Sequence, residues 1–229
     1  MLVLMTIFLL GASKPAANFN FVKVYGKVVG KNLTICESGD SLRVEKLNVE
    51  FKAKVDTLIV EIKGDEGIMI GGAGALLGLP HRPIKISLLA ITSGLFMDIE
   101  NLPIKSMNLR LKASSITVID RENSLPSCDS ISITSSVSTL TFIGAGARNV
   151  NFIDLHLNSS IARIYFSGLK WNNTNFNSTL SSISLSGLLP KLRISGFLNL
   201  KRGLTPPRSP GLTINFIGSF NIIKFMGSF

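Results

Sequence analysis

The chain has 229 residues, 24.7 kDa and a formal net charge of +10, with 45% hydrophobic but only 17% charged residues. Ser (27), Thr (12) and Asn (17) supply about a quarter of it, a profile that excludes intrinsic disorder and a coiled coil. A polytopic helical membrane protein is excluded as well, because the best charge-free stretch, residues 67–80, has 14 residues and five glycines where a helical span needs ~20 apolar residues.

Residues 2–10 (LVLMTIFLL) form an apolar run of secretory length, and the small residues Gly11-Ala12-Ser13 suit cleavage after Ser13. Residues 1–13 are therefore read as a candidate signal peptide; the competing reading is a buried first strand or hydrophobic cap. Residues 14–45 are assigned to an N-terminal cap or first coils, and residues 46–229 to a repeat domain.

The repeat places an apolar residue at m, small residues at m+2 and m+3, apolar residues at m+4, m+7 and m+9, and Gly at m+11. A first, degenerate copy is Phe51, Val55, Leu58 and Val60, and a further copy is expected near Ile70. There residues 71–78 (GGAGALLG) superficially suggest a dinucleotide loop, but the spacing is GxGxxxG and Pro80 leaves no room for the helix such a loop requires. Shifted copies follow around Ile91 and Leu111. Residues 120–129 (DRENSLPSCD) read as a solvated loop between rungs and hold the nearest approach to a carboxylate cluster, Asp120, Glu122 and Asp129. Four full copies begin at Ile133, Leu157, Phe176 and Phe216, with a shortened one at Ile194.

Apolar residues at m−2 and m alternate with polar ones as in a strand buried on one face. The inward parity then switches, so the small pair marks a corner and a second strand begins. No segment keeps a helical period. These features predict an all-β, single-chain parallel β-solenoid (β-helix) of about nine coils with a period of about 21 residues. In that register Thr134, Asn158, Asn177 and Ser195 form one outward polar ladder. Cys36 and Cys128 fall on coils too far apart for a disulfide unless the N-terminal segment folds back along the stack. The final coil, residues 212–229, is apolar and would leave an open edge available for self-association.

Rungs such as residues 133–144 (ITSSVSTLTFIG) and 176–187 (FNSTLSSISLSG) resemble those of the putative adhesin family, including its head GIN domain relatives. The likeness covers residues 46–229. It implies an exported or membrane-tethered β-solenoid of prokaryotes with no catalytic residues; separately, no cofactor is expected.

Charge suggests a partner. Residues 155–229 hold eight bases and no acid, which fits a surface meeting an acidic glycan, a cell-wall polymer or a membrane surface. The candidate contacts are Arg163, Lys191, Arg193, Lys201, Arg202 and Lys224. Nucleic acid is disfavoured, since two Tyr and one Trp offer little stacking surface. His81 and His156 lie far apart without a ligating neighbour, so no metal site is expected. The reading is a secreted or cell-surface, non-enzymatic binding module. Its alternatives are a β-helix polysaccharide-active enzyme and an outer-membrane β-barrel.

Overall fold

The computed structural model describes residues 5–7, 12–15, 19–64, 74–120, 128–144, 149–166, 170–179, 181–186, 193–195, 199–203, 213–217 and 221–226. Its elements are strands: β1 Met5–Ile7, β2 Ala12–Pro15, β3 Phe21–Val29, β4 Asn32–Glu37, β5 Ser41–Glu45, β6 Val49–Lys54, β7 Thr57–Ile62 and β8 Ala75–Leu79. They continue as β9 Ile84–Ile91, β10 Gly94–Asp98, β11 Ile104–Lys112, β12 Ser115–Asp120, β13 Cys128–Ser136, β14 Thr139–Gly144 and β15 Asn149–Asn158. The last are β16 Ile161–Phe166, β17 Lys170–Thr179, β18 Ser182–Ser186, β19 Arg193–Ser195, β20 Asn199–Gly203, β21 Thr213–Ile217 and β22 Asn221–Met226.

They form two 11-stranded sheets, ordered β1-β6-β7-β3-β9-β11-β13-β15-β17-β21-β19 and β2-β5-β8-β4-β10-β12-β14-β16-β18-β22-β20. From β9 to β18 the chain alternates between the sheets, and each strand pairs in parallel with the next strand of its own sheet. Leu88, Leu109, Ile133, Leu155 and Phe176 are successive partners, so the chain advances 21, 24, 22 and 21 residues per rung. Alternation explains the burial: Ile84, Ile86, Leu88 and Ala90 are buried while Lys85 and Ser87 between them are exposed. Inward residues of both sheets meet in one apolar cluster that includes Leu109, Ile133 and Leu155 of one sheet and Val118, Leu140 and Ile183 of the other.

The corner between each first and second strand has its own chemistry. Thr92, Ala113, Val137 and Ser159 adopt left-handed backbone, with φ of 48°, 48°, 51° and 47°. Each is followed by a buried serine: Ser93, Ser114, Ser138 and Ser160, with Ser181 continuing the series. The Oγ atoms of these five serines donate to the carbonyls of Ile91, Lys112, Ser136, Asn158 and Thr179 at 2.8–3.0 Å. The N–H groups of Ser93, Ser114, Ser138 and Ser160 in turn donate to the Oγ of the serine on the following rung, at 3.2–3.3 Å. A single hydroxyl thus satisfies a buried backbone donor that the bend takes out of the sheet ladder.

This geometry corrects three readings. Val137, the apolar m+4 residue, is 67% exposed at the left-handed position, and it is the next residue, Ser138, that is buried. Leu155, not Leu157, is the partner of Ile133, so the second full copy is displaced by two residues. Phe51 and Val60 are not the two strands of one frame copy, which would lie on different sheets: β6 and β7 form an antiparallel hairpin in one sheet, closed at Val55-Asp56, with Val55 95% exposed at φ 52°.

The ends of the stack do not follow chain order. The β3–β4 pair sits between β7–β8 and β9–β10, so the chain builds outward and returns past its own first rung. Gly26 of β3 has φ 143°, and a Cβ there would stand 2.2 Å from the Ile62 carbonyl oxygen of β7. At the far end β21–β22 lies between β17–β18 and β19–β20. Of residues 212–229, β21 and β22 are thus paired on both sides, and among the described residues β19 and β20 are the strands paired on one side only. Of the apolar N-terminal run, Met5–Ile7 is strand β1, with Met5 opposite Phe51 and Ile7 opposite Val49. Cys36 and Cys128 lie on different sheets and neither is in a disulfide. The copy expected near Ile70 lies outside the described residues.

Candidate binding face

Parallel, in-register stacking turns each outward position of a strand into a column that runs across the rungs at ~4.8 Å per step. On the second sheet the middle column reads Thr34, Phe96, Thr117, Thr141, Arg163, Ser184, Lys224, Arg202. Phe96 is 41% exposed, Arg163 is exposed, and Thr34, Thr117, Thr141 and Ser184 are half-buried. Beside it runs a column of Asn32, Gly94, Ser115, Thr139, Ile161 and Ser182. A Cβ at Gly94 would lie 2.4 Å from Asn32 Oδ1, so the missing side chain is what lets the Asn32 amide fold over this position, two residues from Phe96 on the same face.

Three of the six predicted cations therefore share one column. Arg163 and Lys224 are two steps apart across Ser184, and Arg202 pairs with Lys224 directly, although 22 residues separate them in sequence, because β22 is inserted before β20. The other three do not join them. Lys201 pairs with Ile223 in the column of Leu140, Ala162 and Ile183, Arg193 pairs with Thr213 on the first sheet, and Lys191 lies outside the described residues.

The predicted polar ladder is not a single column. Thr134 is followed by His156 and then Asn177; Asn158 stands between Ser136 and Thr179; Ser195 pairs with Asn215, which pairs with Asn175. The two-residue displacement of the Leu157 copy accounts for Asn158. The column that does form has a polar run of Arg110, Thr134, His156 and Asn177 between Leu89 and Ile217, and the His156 ring Nε2 lies 2.9 Å from Asp154 Oδ2.

Sequence reasoning missed Phe96, Thr117 and Thr141. The signal was present in Asn32-Leu33-Thr34, Ser115-Ile116-Thr117 and Thr139-Leu140-Thr141, where hydroxyl or amide residues flank one inward leucine or isoleucine at the start of each second strand.

An ion-pair network occupies the outer face of the hairpin end. Glu61 accepts hydrogen bonds from Lys52 Nζ (2.8 Å), Lys63 Nζ (2.5 Å) and Tyr25 OH (2.9 Å), while Lys63 also reaches Glu50 at 2.8 Å. The lysine hydrogen bonds, Lys52 first and Lys63 second, hold the Glu61 carboxyl down to about 2. Bonding to Glu50 and Glu61 raises Lys63, and burial followed by the Glu61 bond raises the Tyr25 phenol. Charges of both signs are matched here, so this end offers an anion little net attraction.

Of the nearest approach to a carboxylate cluster, at residues 120–129, Asp120 closes β12 and is 1% exposed, whereas Asp129 on β13 is exposed. Glu122 lies outside the described residues. No group of three or more His, Cys, Asp or Glu side chains able to hold a metal occurs among the described residues, and no helix there is long and apolar enough to cross a membrane. Parallel pairing from β9 to β18 also departs from the antiparallel neighbours of an outer-membrane barrel, which sets that alternative aside.

No known family profile matches the chain, and no curated protein matches it in sequence. Its structure is similar to a putative adhesin from Bacteroides fragilis at 16% identity, over 99% of this chain and 97% of that one, with a TM-score of 0.49. It is also similar to a putative adhesin from Parabacteroides distasonis (16% identity, 97% of each chain, TM-score 0.41) and to a putative cell adhesion protein from Clostridium sporogenes (10% identity, 100% and 99%, TM-score 0.38).

Proposed function

We propose that this chain is a β-solenoid whose nine strand pairs, from β3–β4 and β7–β8 through β21–β22, are successive coils, and that it serves at a cell surface or in secreted form as a non-enzymatic, adhesion-type binding module for an anionic partner. The observation that carries the reading is the column of Arg163, Lys224 and Arg202 on one sheet, in a section of chain without a single acid. Cations stacked at rung spacing reinforce one another's potential and raise the local concentration of an anionic ligand. The adhesin descriptions of the similar structures support the surface role, and the apolar run at residues 2–10 supports export.

The test joins cell fractionation and N-terminal sequencing of the mature protein with retention on an acidic glycan matrix and on anionic vesicles. Surface or secreted protein whose retention falls steeply as salt rises is the expected result. Recovery of an intact Met1 form from the cytosol, or retention indifferent to salt, would overturn it.

A further inference from the structure

Resting on that reading, we propose that the ligand lies along the middle column of the second sheet and is an extended acidic polysaccharide, with one sugar ring seated on Phe96 and its acid groups toward Arg163, Lys224 and Arg202. The column is single-file because every member is in register with the next. A linear polyanion can follow such a line, whereas a bilayer would meet it along one row only and leave most of its headgroups without a counter-charge.

The polar members between the ring and the cations choose among linear polyanions. Thr117 and Thr141 separate Phe96 from Arg163 and offer hydroxyls that both donate and accept, as a hydroxyl-bearing polymer requires. A single-stranded nucleic acid would want an aromatic for each of several bases. Among the described members of this column Phe96 is the one aromatic, and it is open to solvent at 41%. Its surroundings suit a sugar: Thr34 and Thr117 flank it on the adjoining strands, and Asn32 lays its amide over Gly94 beside it. From Phe96 to Arg202 the track makes six rung steps, about 29 Å at ~4.8 Å each.

The experiment measures affinity of the full chain for a length series of oligogalacturonates, with cello-oligosaccharides, poly(dT) and phosphatidylglycerol vesicles alongside. Affinity for oligogalacturonate should climb with length until the oligomer spans the track and then level off. Phe96→Ala should weaken binding about tenfold, and Phe96→Leu, which keeps apolar bulk without the ring, should weaken it comparably. Arg163→Glu should cost roughly tenfold or more, while Lys112→Glu, an exposed cation on the other sheet, should cost little. If oligogalacturonate binds but Arg163→Glu and both Phe96 variants behave as wild type, the track is wrong and the anionic reading survives. Tighter binding of poly(dT) or of the vesicles would overturn the polysaccharide assignment. Salt-insensitive or absent binding to all anions would instead defeat the proposed function itself.

Discussion

Ser135 and Ser138 are three residues apart, both buried, at 1% and 5% exposure, and should respond in opposite ways to the same truncation. Ser138 Oγ donates to the Ser136 carbonyl at 2.8 Å and accepts the Ser114 N–H of the preceding rung at 3.2 Å. In Ser138→Ala the Ser136 carbonyl keeps the N–H of Ala113 at 3.0 Å, but the Ser114 N–H is left buried without that acceptor. One orphaned backbone donor costs about 1–3 kcal/mol, so a loss of about 2 kcal/mol is expected. Ser135 Oγ has no hydrogen-bond partner among the described residues, and Ser135→Ala removes only a desolvated hydroxyl. That variant should be neutral or stabilising by up to ~1 kcal/mol. Urea unfolding with an m-value near 3 kcal/mol/M would show Ser138→Ala shifted down by roughly 0.7 M at unchanged slope. Ser138→Ala and Ser160→Ala remove the acceptors of different backbone donors, Ser114 N–H and Ser138 N–H, so the double variant should lose close to the sum of the two single costs. A midpoint for Ser138→Ala within error of wild type would refute the argument, since the bend would then be satisfying its donors without the serine.

Three further outcomes follow from particular atoms. Val55→Gly should stabilise the protein by about 1 kcal/mol in thermal unfolding, because a β-branched residue at φ 52° and 95% exposure carries strain and little packing. Gly26→Ala should destabilise by about 3 kcal/mol, since its Cβ would meet Ile62 backbone at 2.2 Å and φ 143° suits no other residue. Glu61 titrates at about 2 when folded against 4.5 ordinarily, so its contribution is complete above pH 4.5 and is lost as pH falls towards 2. Acid titration of stability in Glu61→Gln should therefore lack part of the loss that wild type shows in that window.

Sequence patterning exposed the strands, the corners and the cationic last third, because each depends on local chemistry: alternation, small residues at a bend, and absent acids. It misplaced one copy by two residues because a strand's facing repeats every two, so Leu155 and Leu157 both satisfy an inward position and only the neighbouring rung decides between them. Val137 misled for a different reason. An apolar residue in an apolar frame reads as core, yet the left-handed corner turns it outward and gives the interior to Ser138. The Arg163, Lys224 and Arg202 column was half legible: strand parity indicated that Arg163 and Lys224 face outward, but nothing local indicates that β22 lies between β18 and β20. Rung order is a property of which edges meet, and the inward faces described from β9 to β16 are similarly apolar.

That order makes an observable claim about the C-terminal strands. In a stack built in chain order, β21 and β22 would be the frayed end, paired on one side only. Here β21 is held by β17 and β19, and β22 by β18 and β20, while β19 and β20 keep one described partner each. A strand paired on both sides opens only when one neighbour leaves, whereas an edge strand opens alone, so the two sets belong to different opening reactions. Amide hydrogen exchange should accordingly be slower, by about an order of magnitude or more, in residues 213–217 and 221–226 than in residues 193–195 and 199–203. Truncation after residue 212 should also release β19 and β20, because β21 and β22 are their partners among the described residues. Faster exchange in the last strands than in β19 and β20, or protection of β19 and β20 that survives the truncation, would mean that the strand pairs follow chain order after all, and Arg202 would then no longer adjoin Lys224.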